Sequence, residues 1–150
     1  MSAAEAATPR EGVVVLDFGS QYNQLIARRV RQLGVYCQIL PHNAPVGELA
    51  ARKPEAVILS GGPASVLDPD APWLDERVLE LGVPVLGICY GMQLLAAMLG
   101  GRVQKAEARE YGPALVSVDE EAGLFVGCSR ELSVWMSHGD QVERLPGGFR

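Results

Sequence analysis

The chain has 150 residues, of which 48% are hydrophobic and 21% charged, and carries a formal net charge of -5. That length and apolar content suit one globular domain with a real core, and the negative charge counts against a nucleic-acid or membrane-surface partner, both of which select clustered Lys and Arg. Three cysteines without paired spacing suggest neither a disulfide framework nor a zinc site, and they match a reducing cytoplasm.

In chain order, residues 1–11 lack the basic start and apolar core of a secretory signal and are expected to form a disordered tail. No uninterrupted apolar run is long enough to span a bilayer. "GVVVLDFG" then reads as a strand buried on both faces, because its β-branched run does not alternate with polar residues. Ser20 is placed to cap a helix in which Tyr22, Leu25, Ile26, Val30 and Leu33 share one face, with Gly34 ending it. "VYCQIL" is expected as a strand, "VGELAARK" as a weak helix, and "EAVILSGGP" as a third strand running into a glycine pair. "ASVLDPDAP" is turn-rich, "WLDERVLELG" has helical spacing, and "VPVLGI" is a fourth strand. "MQLLAAML" follows as a helix that is apolar on nearly every face.

Such alternation of strand and helix predicts an α/β fold. Its mostly parallel central sheet has helices on both faces, three layers in all, and binds ligands outside the carboxyl ends of its strands. Beyond Gly101, "GRVQKA", "GPALVSV" and "RELSVWM" read as shorter strands, partly antiparallel. Residues 12–150 show no internal repeat and no second-domain boundary.

Gly87, Cys89 and Gly91 form a G-x-C-x-G pattern between a strand and a helix. It is the cysteine counterpart of a nucleophile elbow, where the glycines relieve crowding at a sharp turn. The helix N-terminus brings partial positive charge and free N–H groups to the thiol, a setting expected to lower its pKa. A carbonyl attacked by such a thiol needs donors for the oxyanion. Gly62 in "SGGP" and the amide of Tyr90 are the candidates, and a side chain at Gly62 is expected to slow turnover while leaving the domain folded. Cys37, inside a strand, reads as a buried apolar residue, and Cys128 has no assigned role. Of the two histidines, His42 reads as a loop residue, whereas His138 followed by Asp140 could complete a Cys-His-Asp arrangement.

The segments "LDFGSQY", "ILSGGP", "GICYGMQ" and "VWMSHGD", in that order and at these separations, resemble the class I glutamine amidotransferase domain found in GMP synthetases, from Gly12 to Arg150. The resemblance implies that Cys89 attacks the side-chain amide of glutamine to give a thioester and ammonia. Gly62 and Tyr90 would hold the oxyanion, and Gly61, Gln93, Ser137, His138, Gly139 and Asp140 would line the glutamine pocket. It also implies a partner, an ATP-pyrophosphatase domain or subunit that uses ATP and Mg to aminate XMP, with no cofactor in this domain itself and no metal. The family's base and its carboxylate partner lie in a later "HPE" motif without counterpart here. By the resemblance this is therefore a C-terminally incomplete domain, and His138 takes a pocket-lining place instead of the base. A non-catalytic fragment that binds glutamine or a partner, and a related cysteine γ-glutamyl hydrolase, are the alternative readings.

Overall fold

The computed structural model describes residues 12–150, apart from the side chains at positions 109 and 110. The expected tail lies outside the described residues. The chain divides into two compact units, one running to Val103 and resuming over Val142–Arg150, the other comprising Gln104–Gln141.

The first unit is built on four parallel strands: β1 (Val13–Asp17), β2 (Cys37–Pro41), β3 (Ala56–Leu59) and β4 (Val85–Gly87), in the spatial order β2-β1-β3-β4. Val15 pairs with Ile39 on one side and Ile58 on the other, so the most apolar strand is central. Its side chains alternate between two faces. Val15, with Cys37 and Ile58, packs with Ala27, Ile26 and Val30 of helix α1 (Asn23–Gln32). Val14 and Leu16, with Val57 and Leu59, pack on the opposite face. There they meet Leu49 of α2 (Val46–Ala51), Val78 of a 3₁₀ turn (Glu76–Leu81) and Leu94 of α3 (Tyr90–Met98). Each fully buried Val or Leu contributes roughly 1.5–3 kcal/mol relative to exposure, and the two-sided burial is why the strands carry no polar alternation.

Three local expectations are corrected. Helix α1 starts at Asn23, and Ser20 does not cap it: the Ser20 hydroxyl accepts from the Tyr22 N–H at 3.0 Å, closing a turn ahead of the helix. The buried stripe is also narrower than the spacing suggested. Tyr22, Leu25 and Leu33 are 56%, 45% and 81% exposed, while Asn23 and Ala27 are the buried positions. Ala27 has no bulk beyond Cβ, which lets the helix lie close over Val15 and Cys37. The segment "WLDERVLELG" forms a 3₁₀ turn capped by Asp75, whose carboxylate accepts from the Arg77 N–H at 3.0 Å.

The remaining strands are fewer and longer than expected. β5 (Arg102–Ser117) runs without interruption through Gly112 and Pro113, and pairs antiparallel with β6 (Glu131–Arg144). Gly112 has φ +131°, where an L side chain is strained, and Pro113 is exposed. A proline that owes no ladder N–H can sit in an edge strand, so the pair that reads as a turn is accommodated within one strand. In the second unit the β5–β6 connection is closed by the Val118 N–H donating to the Arg130 carbonyl at 2.8 Å.

Candidate active site

In a doubly wound sheet the ligand crevice lies beyond the carboxyl ends of the strands, where the winding reverses. Here the reversal falls at β1, which has β2 on one side and β3 on the other. The carboxyl ends nearby are Phe18–Gly19 after β1, Ser60–Gly62 after β3, and Ile88–Cys89 after β4.

Cys89 is the residue before the first turn of α3 and has φ +50° and ψ -109°. The other non-glycine residue with positive φ among those described, Lys53, sits in the turn after α2. A conformation so rare for an L residue costs on the order of 1–3 kcal/mol and persists only where the surroundings impose it. The surroundings are identifiable. A methyl group on Gly87 would lie 2.6 Å from the Met92 nitrogen and 2.7 Å from the Gly91 carbonyl carbon, and one on Gly91 would lie 2.6 Å from Leu59 Cβ. The Gly91 N–H is held by the carbonyls of Ser60 and Ile88 at 3.1 and 3.0 Å. The strand therefore turns into the helix with no room for side chains at either glycine, and the thiol is carried at the apex.

Gly61 adjoins this apex, since a methyl there would stand 3.3 Å from Cys89 Cβ. The next residue, Gly62, abuts the chain after β1: its missing side chain would fall on the Phe18 carbonyl oxygen. A side chain at Gly62 would therefore meet backbone, and the loop must move to admit it. Among the described residues the N–H groups of Gly62 and Tyr90 have no acceptor, as befits amides at a loop tip and at the first position of a helix.

Tyr90 is 1% exposed, and its hydroxyl donates to the Pro72 carbonyl. Burial and the Asp68 charge push its phenol up to about 12, so it remains a donor. Its ring stands 5.5 Å from that of Phe18, which stands 5.2 Å from His42; such pairs contribute about 0.5–1.5 kcal/mol beyond burial. Gln93 follows one helical turn after Cys89, its N–H donating to the Cys89 carbonyl at 3.0 Å, and is buried. Gly61, Gly62, Cys89, Tyr90 and Gln93 are thus brought together. Ser137, His138, Gly139 and Asp140 lie on β6 in the second unit, where Ser137 is exposed, His138 half-buried and Asp140 buried. The residues that sequence reasoning passed over are Ser60 and Phe18, whose contacts join segments 42 positions apart.

Burial pushes the Cys89 thiol up, opposite to the expected acidification by the helix terminus. The cause is desolvation of the thiolate, which disfavours the charged form. Cys37, fully buried in β2, is raised for the same reason, partly offset by Arg31. Near neutral pH Cys89 is a thiol, and it needs a base to take its proton before it attacks. Iodoacetamide alkylation of Cys89 is therefore expected to rise with pH to a midpoint above that of an ordinary thiol. The stability consequence has a definite sign. The folded state keeps these thiol protons after the unfolded chain has lost its own, so stability is full below about pH 8.5 and falls as pH rises through the folded values. Urea unfolding at pH 7 and pH 10, with Cys37 and Cys89 separately replaced, measures it; an alkylation midpoint below the ordinary thiol value would contradict it.

The family model for glutamine amidotransferase class-I matches residues 14–150. The glutamine-hydrolysing GMP synthase of Acetivibrio thermocellus is 55% identical over 139 residues, which are 93% of this chain and 27% of that protein. That of Thermomicrobium roseum is 57% identical over 139 residues, 93% of this chain and 26% of that protein. The chain thus spans about a quarter of the length of these curated relatives. A GMP synthase subunit from Thermoplasma acidophilum superposes with a TM-score of 0.71 at 33% identity, covering 91% of this chain and 68% of that one. A Thermotoga maritima glutamine amidotransferase shares the fold, with a TM-score of 0.69 at 23% identity over 93% of this chain and 64% of that one. Since the family match runs across the parallel sheet, the glycine loop after β3 and the strained cysteine at the head of α3, the chain belongs to the class-I glutamine amidotransferases.

Proposed function

We propose that residues 12–150 form the glutaminase part of a glutamine-hydrolysing GMP synthase. The observation that carries this reading is Cys89, held at positive φ between two glycines that admit no side chain, at the carboxyl end of a parallel strand. In the reaction, the Cys89 sulfur, freed of its proton by a base, attacks the side-chain carbonyl carbon of glutamine, and the carbonyl oxygen becomes an oxyanion held by the amides of Gly62 and Tyr90. The C–N bond then breaks, the nitrogen takes a proton and leaves as ammonia, and a γ-glutamyl thioester remains. Water adds to the thioester, the C–S bond breaks, and glutamate and the thiol are regenerated. Gly61 and Gln93, beside Cys89 in the first unit, would contact the glutamine substrate.

The ammonia passes to an ATP-pyrophosphatase partner, either a domain or a separate chain, which aminates XMP. ATP and Mg belong to the chemistry of that partner. The names of the curated relatives support the GMP assignment. No helix among the described residues is long and apolar enough to cross a membrane, and three free cysteines support a reducing cytoplasm.

The test is to trap the thioester. The complete enzyme, given glutamine and hydroxylamine, is expected to form γ-glutamyl hydroxamate. His138→Ala should keep the maximal rate within about threefold, as a histidine that is not the base does. Hydroxamate formation that survives Cys89→Ala would remove the assignment, and a collapse of kcat in His138→Ala would make His138 the base.

A further inference from the structure

We infer that Ser60 is a positioning residue for the oxyanion hole, its hydroxyl fixing the Gly61–Gly62 peptide so that the Gly62 N–H stays presented beside Cys89. The inference rests on the amidotransferase reading above and adds to it a residue with no part in the chemistry itself.

Ser60 ends β3 and is 0% exposed. A buried hydroxyl is retained only where its hydrogen bonds are made, and this one uses both capacities. It accepts from the Phe18 N–H at 2.9 Å and donates to the Gly61 carbonyl at 2.9 Å. The backbone of Ser60 is held as well, its N–H donating to the Leu16 carbonyl at 3.1 Å and its carbonyl accepting from the Gly91 N–H at 3.1 Å. One residue thus ties the end of β1, the glycine loop and the first turn of α3.

The Gly61 carbonyl and the Gly62 N–H belong to the same peptide unit. That unit is planar and trans, so the two groups point in opposite directions. Pinning the carbonyl to a buried hydroxyl therefore sets the direction of the N–H on the other edge. The constraint matters because a Gly-Gly peptide has the widest choice of backbone angles. Side chains do not supply the rigidity: Gly62 has the Phe18 carbonyl where a Cβ would be, and a Cβ added at Gly61 would press on Cys89 Cβ at 3.3 Å. Without the hydroxyl the plane can rotate and carry the donor away from the thiol. Phe18 shares the role: its N–H holds the Ser60 oxygen, and its carbonyl abuts Gly62.

Two electrophiles separate this role from simple folding. A γ-chloromethyl ketone analogue of glutamine places a carbonyl oxygen in the hole as the Cys89 sulfur forms its bond to carbon, chloride leaves and the thiol proton passes to solvent. Iodoacetamide alkylates by direct displacement of iodide and needs no oxyanion donor. Both rates are read in the complete enzyme on the Cys89 peptide by mass spectrometry. Since losing one donor costs about 10²- to 10³-fold, Ser60→Ala is expected to lower the ratio of chloroketone to iodoacetamide rates by at least tenfold. Ser60→Thr, which keeps the hydroxyl, should recover most of the ratio. If Ser60→Ala does not fold, Ser60→Cys keeps the volume with a much weaker donor and should also lower the ratio. An unchanged ratio in the folded Ala or Cys variant overturns the role of Ser60, as does a folded Thr variant as impaired as Ala. Wild-type protein that the chloroketone does not label selectively at Cys89, or that glutamine does not protect, brings down the amidotransferase reading as well.

Discussion

Cys89→Ser is expected to abolish glutamine-dependent GMP synthesis in the complete enzyme while synthesis from added ammonia continues. Under the proposed function the two halves of the reaction part at free ammonia, which the partner would consume whether or not this chain supplied it. The size of the first effect follows from the local chemistry. A serine hydroxyl is far less acidic than a thiol, and partial burial already pushes the Cys89 thiol up, so an alkoxide at the same apex is still less accessible. Removing a nucleophile that acts as one unit with its base costs on the order of 10⁶-fold. Cys37→Ser and Cys128→Ser should cost stability at most. Cys37 is fully buried and packs with Val15 and Ile58, where a hydroxyl lacks the fit of a thiol, and Cys128 lies in the second unit. Glutaminase activity retained by a folded Cys89→Ser enzyme would sink the assignment of the nucleophile.

The parallel sheet was legible because burial on both faces leaves a mark along a strand: Val14 to Leu16 have no solvent face to fill with polar side chains. The elbow was legible for a related reason. A turn that crowds backbone against backbone demands glycine at Gly87 and Gly91, and a cysteine between such glycines has few structural uses. What escaped the sequence depends on distances along the chain. The turn of Ser20 onto the Tyr22 N–H and an N-cap look alike in sequence, since a serine before an apolar run suits both. The face of α1 turns on how closely Ala27 approaches the sheet, and spacing alone cannot rank it against Leu25 or Tyr22. β5 passes through Gly112 and Pro113 because an edge strand tolerates both. The bond from the Phe18 N–H to Ser60 has no local signature, so the serine of "SGGP" reads as an ordinary strand end until β1 and β3 are placed side by side.

Gly91→Ala tests the elbow by a route independent of the thiol. Gly91 is the second residue of α3, and a helix interior ordinarily gains up to about 1 kcal/mol from alanine in place of glycine. Here the sign should reverse. The added methyl would fall on the Leu59 carbonyl oxygen and 2.6 Å from Leu59 Cβ, and Leu59 is fully buried in β3, so the strand cannot yield to it. Overpacking against side chains typically costs 1–3 kcal/mol, and an obstacle made of backbone belongs at or beyond the upper end, about 3 kcal/mol or more. The helix can relieve it only by lifting from the sheet, which lengthens the bonds from the Gly91 N–H to Ser60 and Ile88 and releases Cys89 from positive φ. Activity should then fall together with stability. Gly47→Ala provides the control, since it lies within α2 with nothing near its added methyl, and it should be neutral or stabilise by up to about 1 kcal/mol. Urea melts of the two variants, with Cys89 labelling by the chloroketone, decide the matter: a Gly91→Ala protein as stable and as readily labelled as wild type would show that close approach of α3 to β3 does not hold the nucleophile in place.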